Sequence, residues 1–203
     1  MSNIGSYDER AKEFSWEISE KELGYRDGEI INIGWYCTDR LCEQGKASKL
    51  ALVWEGHTGA EKRYTYNDVR LASNTIGAFL RGLGIQAGER VCLFMDKIPE
   101  LYLGFLGILK IGAIAQPLFS AFGDESLFVR LSNAETSAVI TQRKHALKVR
   151  KILDRLPHIK HIVIVDHDGV SPVKDREVAF SLEKAGPVER LDIYPTMAWF
   201  LLY

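Results

Sequence analysis

The chain has 203 residues, 26 lysines and arginines against 27 aspartates and glutamates, and 46% hydrophobic residues, a composition that supports a folded core and excludes fibrous and disordered classes. A formal net charge of −1 supplies no molecule-wide positive field, so nucleic acid and anionic membranes are excluded as whole-surface partners and any anion site must be local. Three cysteines, Cys37, Cys42 and Cys92, have no disulfide-scaffold spacing and suit a reducing cytoplasm.

Residues 1–30 are polar, sprinkled with aromatics and weakly periodic; they are expected to form an N-terminal arm with no secretory apolar segment. Residues 31–203 are expected to form one α/β domain. Asn32 is a good N-cap for a helix carrying Ile33, Tyr36, Cys37, Arg40 and Leu41 on one face and closed by Gly45. Lys49–Glu55 reads as a strand, residues 56–59 as a turn and Lys62–Thr65 as a short return strand. Thr65 with Asp68 makes a capping-box variant for a helix whose apolar face is Val69, Ala72, Ile76, Phe79, Leu80 and Leu83, ended by Gly84.

Val91–Met95 is a nearly all-apolar strand, and Pro99 starts a helix, ELYLGFLGILK, apolar on almost every face. That helix should be buried, with Gly104 and Gly107 allowing a neighbour to approach closely. Lys110 and the glycines within 101–119 argue against a membrane span there. A strand over Ala113–Leu118, a helix over Asp124–Asn133, a strand over Ser137–Thr141, a basic helix from Arg143 to Leu156 and a strand over His161–Val165 follow. Residues 166–188 read as loop with a short helical turn near Phe180–Lys184, and Met197–Tyr203 as a last strand. Continuous apolar strands alternating with helices predict a doubly wound α/β fold: a mostly parallel sheet with helices on both faces.

Generic nucleotide signatures are missing from this pattern. Gly82, Gly84 and Gly88 follow a helix and read as its stop, Gly107 and Gly112 lack the Lys-Ser/Thr of a phosphate loop, and no G-x-S-x-G nucleophile turn occurs. His158 and His161 straddle the entry to a strand, without further ligands spaced to complete a zinc shell. Asp166 and Asp168 lie beyond a strand's carboxyl end, where α/β ligand sites gather, but the DHDG run is also an ordinary turn. The densest charge is basic: Arg143, Lys144, Lys148, Arg150, Lys151, Arg155 and Lys160 against Asp154 alone, a local balance of +6. Such a cluster opening a helix after a parallel strand could hold a phosphate, or could be the solvated face opposite Ala146, Val149, Leu153 and Leu156.

The segments NIGWYCTDRLCEQ, KLALVWEG, the run from Tyr64 to Phe122 (YTYNDVRLASNTIGAFLRGLGIQAGERVCLFMDKIPELYLGFLGILKIGAIAQPLFSAF) and RLSNAETSAVIT together resemble the N-terminal part of the AMP-forming acyl-CoA synthetases. The resemblance spans about residues 30–165, and the PLF after GAIA is most similar to the short-chain, acetate-type branch. It implies a ligase that activates a carboxylate with ATP and magnesium to an acyl adenylate and transfers the acyl group to coenzyme A. In that family a TSGSTG-type phosphate loop follows an apolar strand like WFLLY, so the chain is expected to stop just before it, to hold neither the ATP nor the magnesium site, and to be inactive alone. Two coenzyme A contacts carry over by position: Ser120, Ala121 and Phe122 match the family's small-residue segment beside the adenine but depart from its glycines, and Arg150 matches a base at the 3′-phosphate. The family's other arginine aligns near Leu147, leaving Lys148, Lys144 or Arg143 to substitute for it.

Two further classes stand beside this one: a non-catalytic module of the same fold that binds coenzyme A or a partner chain, and a Rossmann-type nucleotide domain read from fold class alone. No membrane or nucleic-acid partner is expected, whereas self-association through exposed sheet surface is.

Overall fold

The computed structural model describes residues 6–24 and 31–194; the expected strand Met197–Tyr203 lies outside them. The chain divides into two compact units, Met1–Ile31 and Asn32–Tyr203.

The first unit, in the stretch expected to form the N-terminal arm, carries two short helices. Helix α1 spans Tyr7–Glu13 and α2 spans Trp16–Leu23. Ser15 caps α2 by accepting the Ile18 N–H at 3.2 Å, and Gly24, at φ +68°, ends it in the left-handed conformation.

In the second unit Asn32 caps α3 (Ile33–Tyr36), its Oδ1 accepting the Trp35 N–H at 3.1 Å. The single helix expected through Leu41 is broken. The buried Thr38 hydroxyl donates to the Gly34 carbonyl at 2.6 Å, Thr38 leaves helical geometry, and α4 (Asp39–Leu41) restarts before a π-helical turn at Cys42–Lys46. Strands β1 (Leu50–Glu55) and β2 (Glu61–Thr65) form an antiparallel hairpin, as expected. The capping box at the start of α5 (Tyr66–Gly82) is complete: Thr65 Oγ1 accepts the Asp68 N–H at 3.2 Å, and Asp68 Oδ2 accepts the Thr65 N–H at 2.8 Å.

Strand β3 (Arg90–Met95), helix α6 (Pro99–Lys110), β4 (Ile114–Phe119), α7 (Asp124–Asn133), β5 (Ala138–Thr141), α8 (Arg143–Ile152), β6 (His161–Ile164), β7 (Glu177–Ala179) and α9 (Leu182–Ala185) complete the described chain. The last five strands form one parallel sheet in the order β4-β3-β5-β6-β7, with helices on both faces. Val91, Leu93 and Met95 face the core built with α5 and α6, and Cys92 and Phe94 face the core built with α7 and α8. Burial on both faces is why β3 reads as an unbroken apolar run. Strand β7 falls in a stretch the sequence presents as loop. It is three residues long and carries Glu177 where an apolar residue is expected, so its hydropathy gives little sign of it.

Two close contacts fix α6 against its neighbours. A Cβ added at Gly107 would lie 2.7 Å from the Ser73 carbonyl oxygen and 3.2 Å from the Gly77 nitrogen, so glycine lets α5 and α6 touch backbone to backbone. At the end of α6, Lys110 is completely buried, with Nζ 2.6 Å from Asp39 Oδ2 and 2.7 Å from Asn74 Oδ1. Burial lowers its pKa, and the Asp39 carboxylate opposes that shift.

Candidate functional site

Parallel sheets place ligands beyond their carboxyl ends, where neighbouring strands send their connections to opposite faces. Here that point lies between β3, whose following helix α6 joins the α5 face, and β5, whose following helix α8 covers the other face. The chain's own side chains occupy it. Gln142 Oε1 accepts the Asp96 N–H at 3.0 Å, and the Asp96 carboxylate meets Lys144 Nζ and, at 2.8 Å, His145 Nε2. Those two partners hold the Asp96 carboxyl down to about 2. Asp166 Oδ1 accepts the Arg143 N–H at 2.7 Å, satisfying the first turn of α8.

Asp168 serves its own turn, accepting the N–H groups of Val170 and Ser171 at 3.0 and 2.8 Å, and it also pairs with Arg143. These hydrogen bonds, from Ser171 first, hold its carboxyl below the usual range. The DHDG run is therefore a turn whose carboxylates are spoken for. Among the described residues no group of three or more His, Cys, Asp or Glu side chains is placed to hold a metal ion.

The segment Ser120, Ala121 and Phe122 forms the bend between β4 and α7, with Ala121 exposed and its two neighbours half-buried. Lys148 Nζ reaches it from α8, donating to the carbonyls of Ser120 at 2.9 Å and Phe122 at 3.0 Å. The Arg130 guanidinium lies 4.2 Å from the Phe122 ring centroid. Phe119, two-thirds exposed, meets Phe122 edge-on at 6.0 Å.

Arg150 lies two positions beyond Lys148, which turns it about 200° around the helix. It faces β7. Its Nε donates to Glu177 Oε1 at 2.5 Å, while the Lys174 N–H donates to Glu177 Oε2 at 3.0 Å. Burial pushes the Glu177 carboxyl up, but Arg150 and the Lys174 amide outweigh it and hold the carboxyl below its usual value. Among the described residues the terminal nitrogens of Arg150 make no hydrogen bond, and the side chain stays 28% exposed. The structure thus brings Ser120 and Phe122 to Lys148, and sets Arg150 on another face of the same helix.

Most of the basic charge apparent in the sequence is neutralised by remote acids. Arg143 pairs with Asp168, Lys144 with Asp96, Arg150 with Glu177, Lys151 with Asp124, Arg155 with Glu125 and Lys160 with Glu89. Lys148 is not identifiable from sequence as the residue against the bend, because its two acceptors are backbone carbonyls 26 and 28 residues away.

An AMP-binding enzyme family profile matches residues 39–200. The acetyl-coenzyme A synthetase of Bacillus subtilis (strain 168) is 36% identical over 170 residues, covering 83% of this chain and 29% of that protein. The Rubrobacter xylanophilus acetyl-coenzyme A synthetase is 29% identical over 213 aligned residues, covering 93% of this chain and 33% of that protein. Among solved structures, the Brucella canis acyl-CoA synthetase superposes with a TM-score of 0.76 at 24% identity, over 93% of this chain and 33% of that one. The anthranilate CoA ligase AuaEII, solved with anthranoyl-AMP, gives 0.68 at 22% identity over 84% of this chain and 31% of that one. The structural likenesses show a shared fold, and the chain spans about 30% of the length of the relatives it matches. With the family profile covering most of its length, this chain belongs to the AMP-binding enzyme family.

Proposed function

We propose that the chain is the N-terminal part of an AMP-forming acid–thiol ligase that activates a short-chain carboxylate, acetate, with ATP and magnesium and transfers the acyl group to coenzyme A. The observation that carries this reading is the 36% identity to an acetyl-coenzyme A synthetase over 83% of the chain, on the fold its solved relatives share. Residues 31–203 are the α/β domain of that enzyme in this reading, and residues 1–30 its leading arm.

The described residues supply the coenzyme side of the reaction. The Ser120–Phe122 bend offers an exposed Ala121 between half-buried Ser120 and Phe122, a surface against which a flat purine can lie. Arg150, on the other face of α8 and oriented through Nε by the buried Glu177, has its terminal nitrogens unbonded among the described residues and open to a phosphate. Nothing among these groups polarises an acyl or phosphoryl bond, so their contribution is binding and orientation. Adenylation is assigned to the remaining two-thirds of the relatives' length, and the chain alone is inactive in this reading.

A reducing compartment, the cytoplasm, goes with it. Cys92 is fully buried, its thiol pKa raised by burial, and no helix among the described residues is long and apolar enough to cross a membrane. Self-association would use the side of β4 that is unpaired among the described residues, where Phe119 and, on α6, Tyr102 are exposed.

Calorimetric titration of coenzyme A into the 203-residue chain tests the coenzyme role: binding that weakens in Arg150→Ala is expected, and no heat at millimolar coenzyme contradicts it. Acetate-dependent ATP–pyrophosphate exchange tests the rest. The chain alone should give no exchange above a buffer blank, and clear turnover would sink the assignment of adenylation to other residues.

A further inference from the structure

The carboxyl ends of β6 and β7 close on a cleft of about 270 Å³, on the α5 side of the sheet. Its floor is aromatic. Phe79 of α5 and Phe180, the residue after β7, meet with ring centroids 4.5 Å apart, and Ala179 lies beside them. The rim carries His167 from the loop after β6, together with Ser181 and Lys184. Among the described residues no acid lines it.

His167 is the unusual member. Its side chain is only 9% exposed, and its Nδ1 accepts the Gly169 N–H at 2.9 Å, which puts the proton of the neutral ring on Nε2. Among the described residues Nε2 has no hydrogen-bond partner, although buried polar groups are normally paired. Asp168 Oδ1 stands 3.6 Å from Nδ1, the other ring nitrogen, and serves the Val170 and Ser171 amides. Ser181 occupies the N-cap of α9 yet its hydroxyl makes no capping bond. Lys184 pairs with no carboxylate among the described residues, and its Nζ lies 3.5 Å from where a Cβ on Gly169 would stand, beside the turn that holds His167.

We propose that this cleft binds a small aromatic carboxylate, its ring against Phe79 and Phe180 and its carboxylate taken by the His167 Nε2–H and the Lys184 ammonium, with the Ser181 hydroxyl as a third donor. The chemistry of the lining selects this class. One cation and two further donors, unopposed by an acid, favour a single negative charge over a cation or a neutral amide. The aromatic floor favours a flat apolar body over a bare two-carbon acid. The cleft's size suits a single ring rather than a nucleotide. The site shares no residue with the coenzyme contacts and stands or falls independently of them.

The test is an amide chemical-shift titration of the 203-residue chain with benzoate, benzamide and acetate, repeated on Lys184→Met, His167→Asn and, as a control for net charge, Lys62→Met. Benzoate should bind with a dissociation constant of about 1 mM and move residues 167–169 and 179–185, with benzamide and acetate about tenfold weaker or worse. Lys184→Met should weaken benzoate by about fivefold and flatten its salt dependence. His167→Asn, whose amide oxygen can still accept the Gly169 N–H while Nε2 is gone, should weaken it by about tenfold. Lys62→Met, exposed on β2, should bind like the parent chain. Lys184 is also exposed, so that variant decides the matter even if His167→Asn upsets its turn. Benzamide or acetate binding as tightly as benzoate, shifts centred elsewhere, or benzoate affinity indifferent to Lys184→Met overturns the proposal, as does no binding at about 20 mM benzoate.

Discussion

Lys110 on α6 and Lys148 on α8 occupy opposite surroundings, and each is the reverse of what its local sequence suggests. Lys110 ends a long, largely apolar helix, PELYLGFLGILK, yet its charge is matched by Asp39 in a buried site where Asn74 Oδ1 accepts a further hydrogen bond. Lys148 sits in the most basic helix, RKHALKVRKI, whose other bases meet carboxylates while it meets carbonyls. The difference separates two uses of one side chain. A buried, compensated lysine joins elements together, and an uncompensated, half-buried one is left with charge to offer.

That contrast can be broken most forcefully at Lys110. Replacing it by methionine leaves Asp39 and the Asn74 carbonyl oxygen without their partner, and the expected loss of stability is about 3 kcal/mol, read by urea denaturation. The double variant Lys110→Met, Asp39→Ala should recover part of it, because the stranded carboxylate goes too. Non-recovery would show that Lys110 acts through packing rather than charge. Gly107→Ala comes next: its methyl would press on the Ser73 carbonyl and the Gly77 nitrogen, at an expected cost of about 2 kcal/mol in the same measurement.

A smaller effect is expected on the α8 side. Arg150→Ala leaves Glu177 buried with one partner fewer and should destabilise by about 1–2 kcal/mol, concentrated in faster amide exchange along β7. Acid titration separates the pairs further. The Asp96 carboxyl is held down to about 2 in the folded chain against about 3.9 unfolded, so its contribution is complete above about pH 5 and is lost progressively as pH falls through about 4 to below about 2. The stability difference between the parent chain and Asp96→Asn should therefore vanish across that window. A difference unchanged at pH 2 would mean that Lys144 and His145 do not hold the carboxylate. Smallest of all should be Lys148→Gln, under about 1 kcal/mol by thermal unfolding, since it exchanges an ammonium for an amide in a half-buried site.

Elements with strong local signals were legible in the sequence. The Thr65–Asp68 capping box, Gly84 as a helix stop, Pro99 opening α6 and the apolar runs of β3, β4, β5 and β6 place those elements and, with their alternation, the doubly wound sheet. The break at Thr38 was hidden because a threonine at a helix-compatible position diverts its hydroxyl to a backbone carbonyl, a choice that hydropathy does not encode. Strand β7 was hidden because a buried carboxylate, Glu177, paired with the part-exposed Arg150, stands where an apolar residue usually announces a strand. In the arm, Ser15 and Gly24 flank α2 as cap and stop, and that signal was available in S-W-E-I-S-E-K-E-L-G.

The candidate site divides in the same way. Ser120, Ala121 and Phe122 are reached through a contiguous motif, whereas the compensation of the basic segment is tertiary. Asp96, Glu89 and Glu177 are far away in sequence, so a count of +6 over residues 143–160 says little about the field at any one of them. Only the acidic first turn of α7, Asp124 and Glu125, arrives from a neighbouring helix in a way that the order of elements suggests.

The most direct measurement for the account is a residue-resolved map of coenzyme A binding by amide chemical shifts in the 203-residue chain. The predicted result is a set of perturbations concentrated at residues 119–123 and in α8 around Lys148 and Arg150, with the α5–α6 contact and the buried Lys110 site unmoved. Perturbations centred elsewhere, or none at saturating coenzyme, would contradict it.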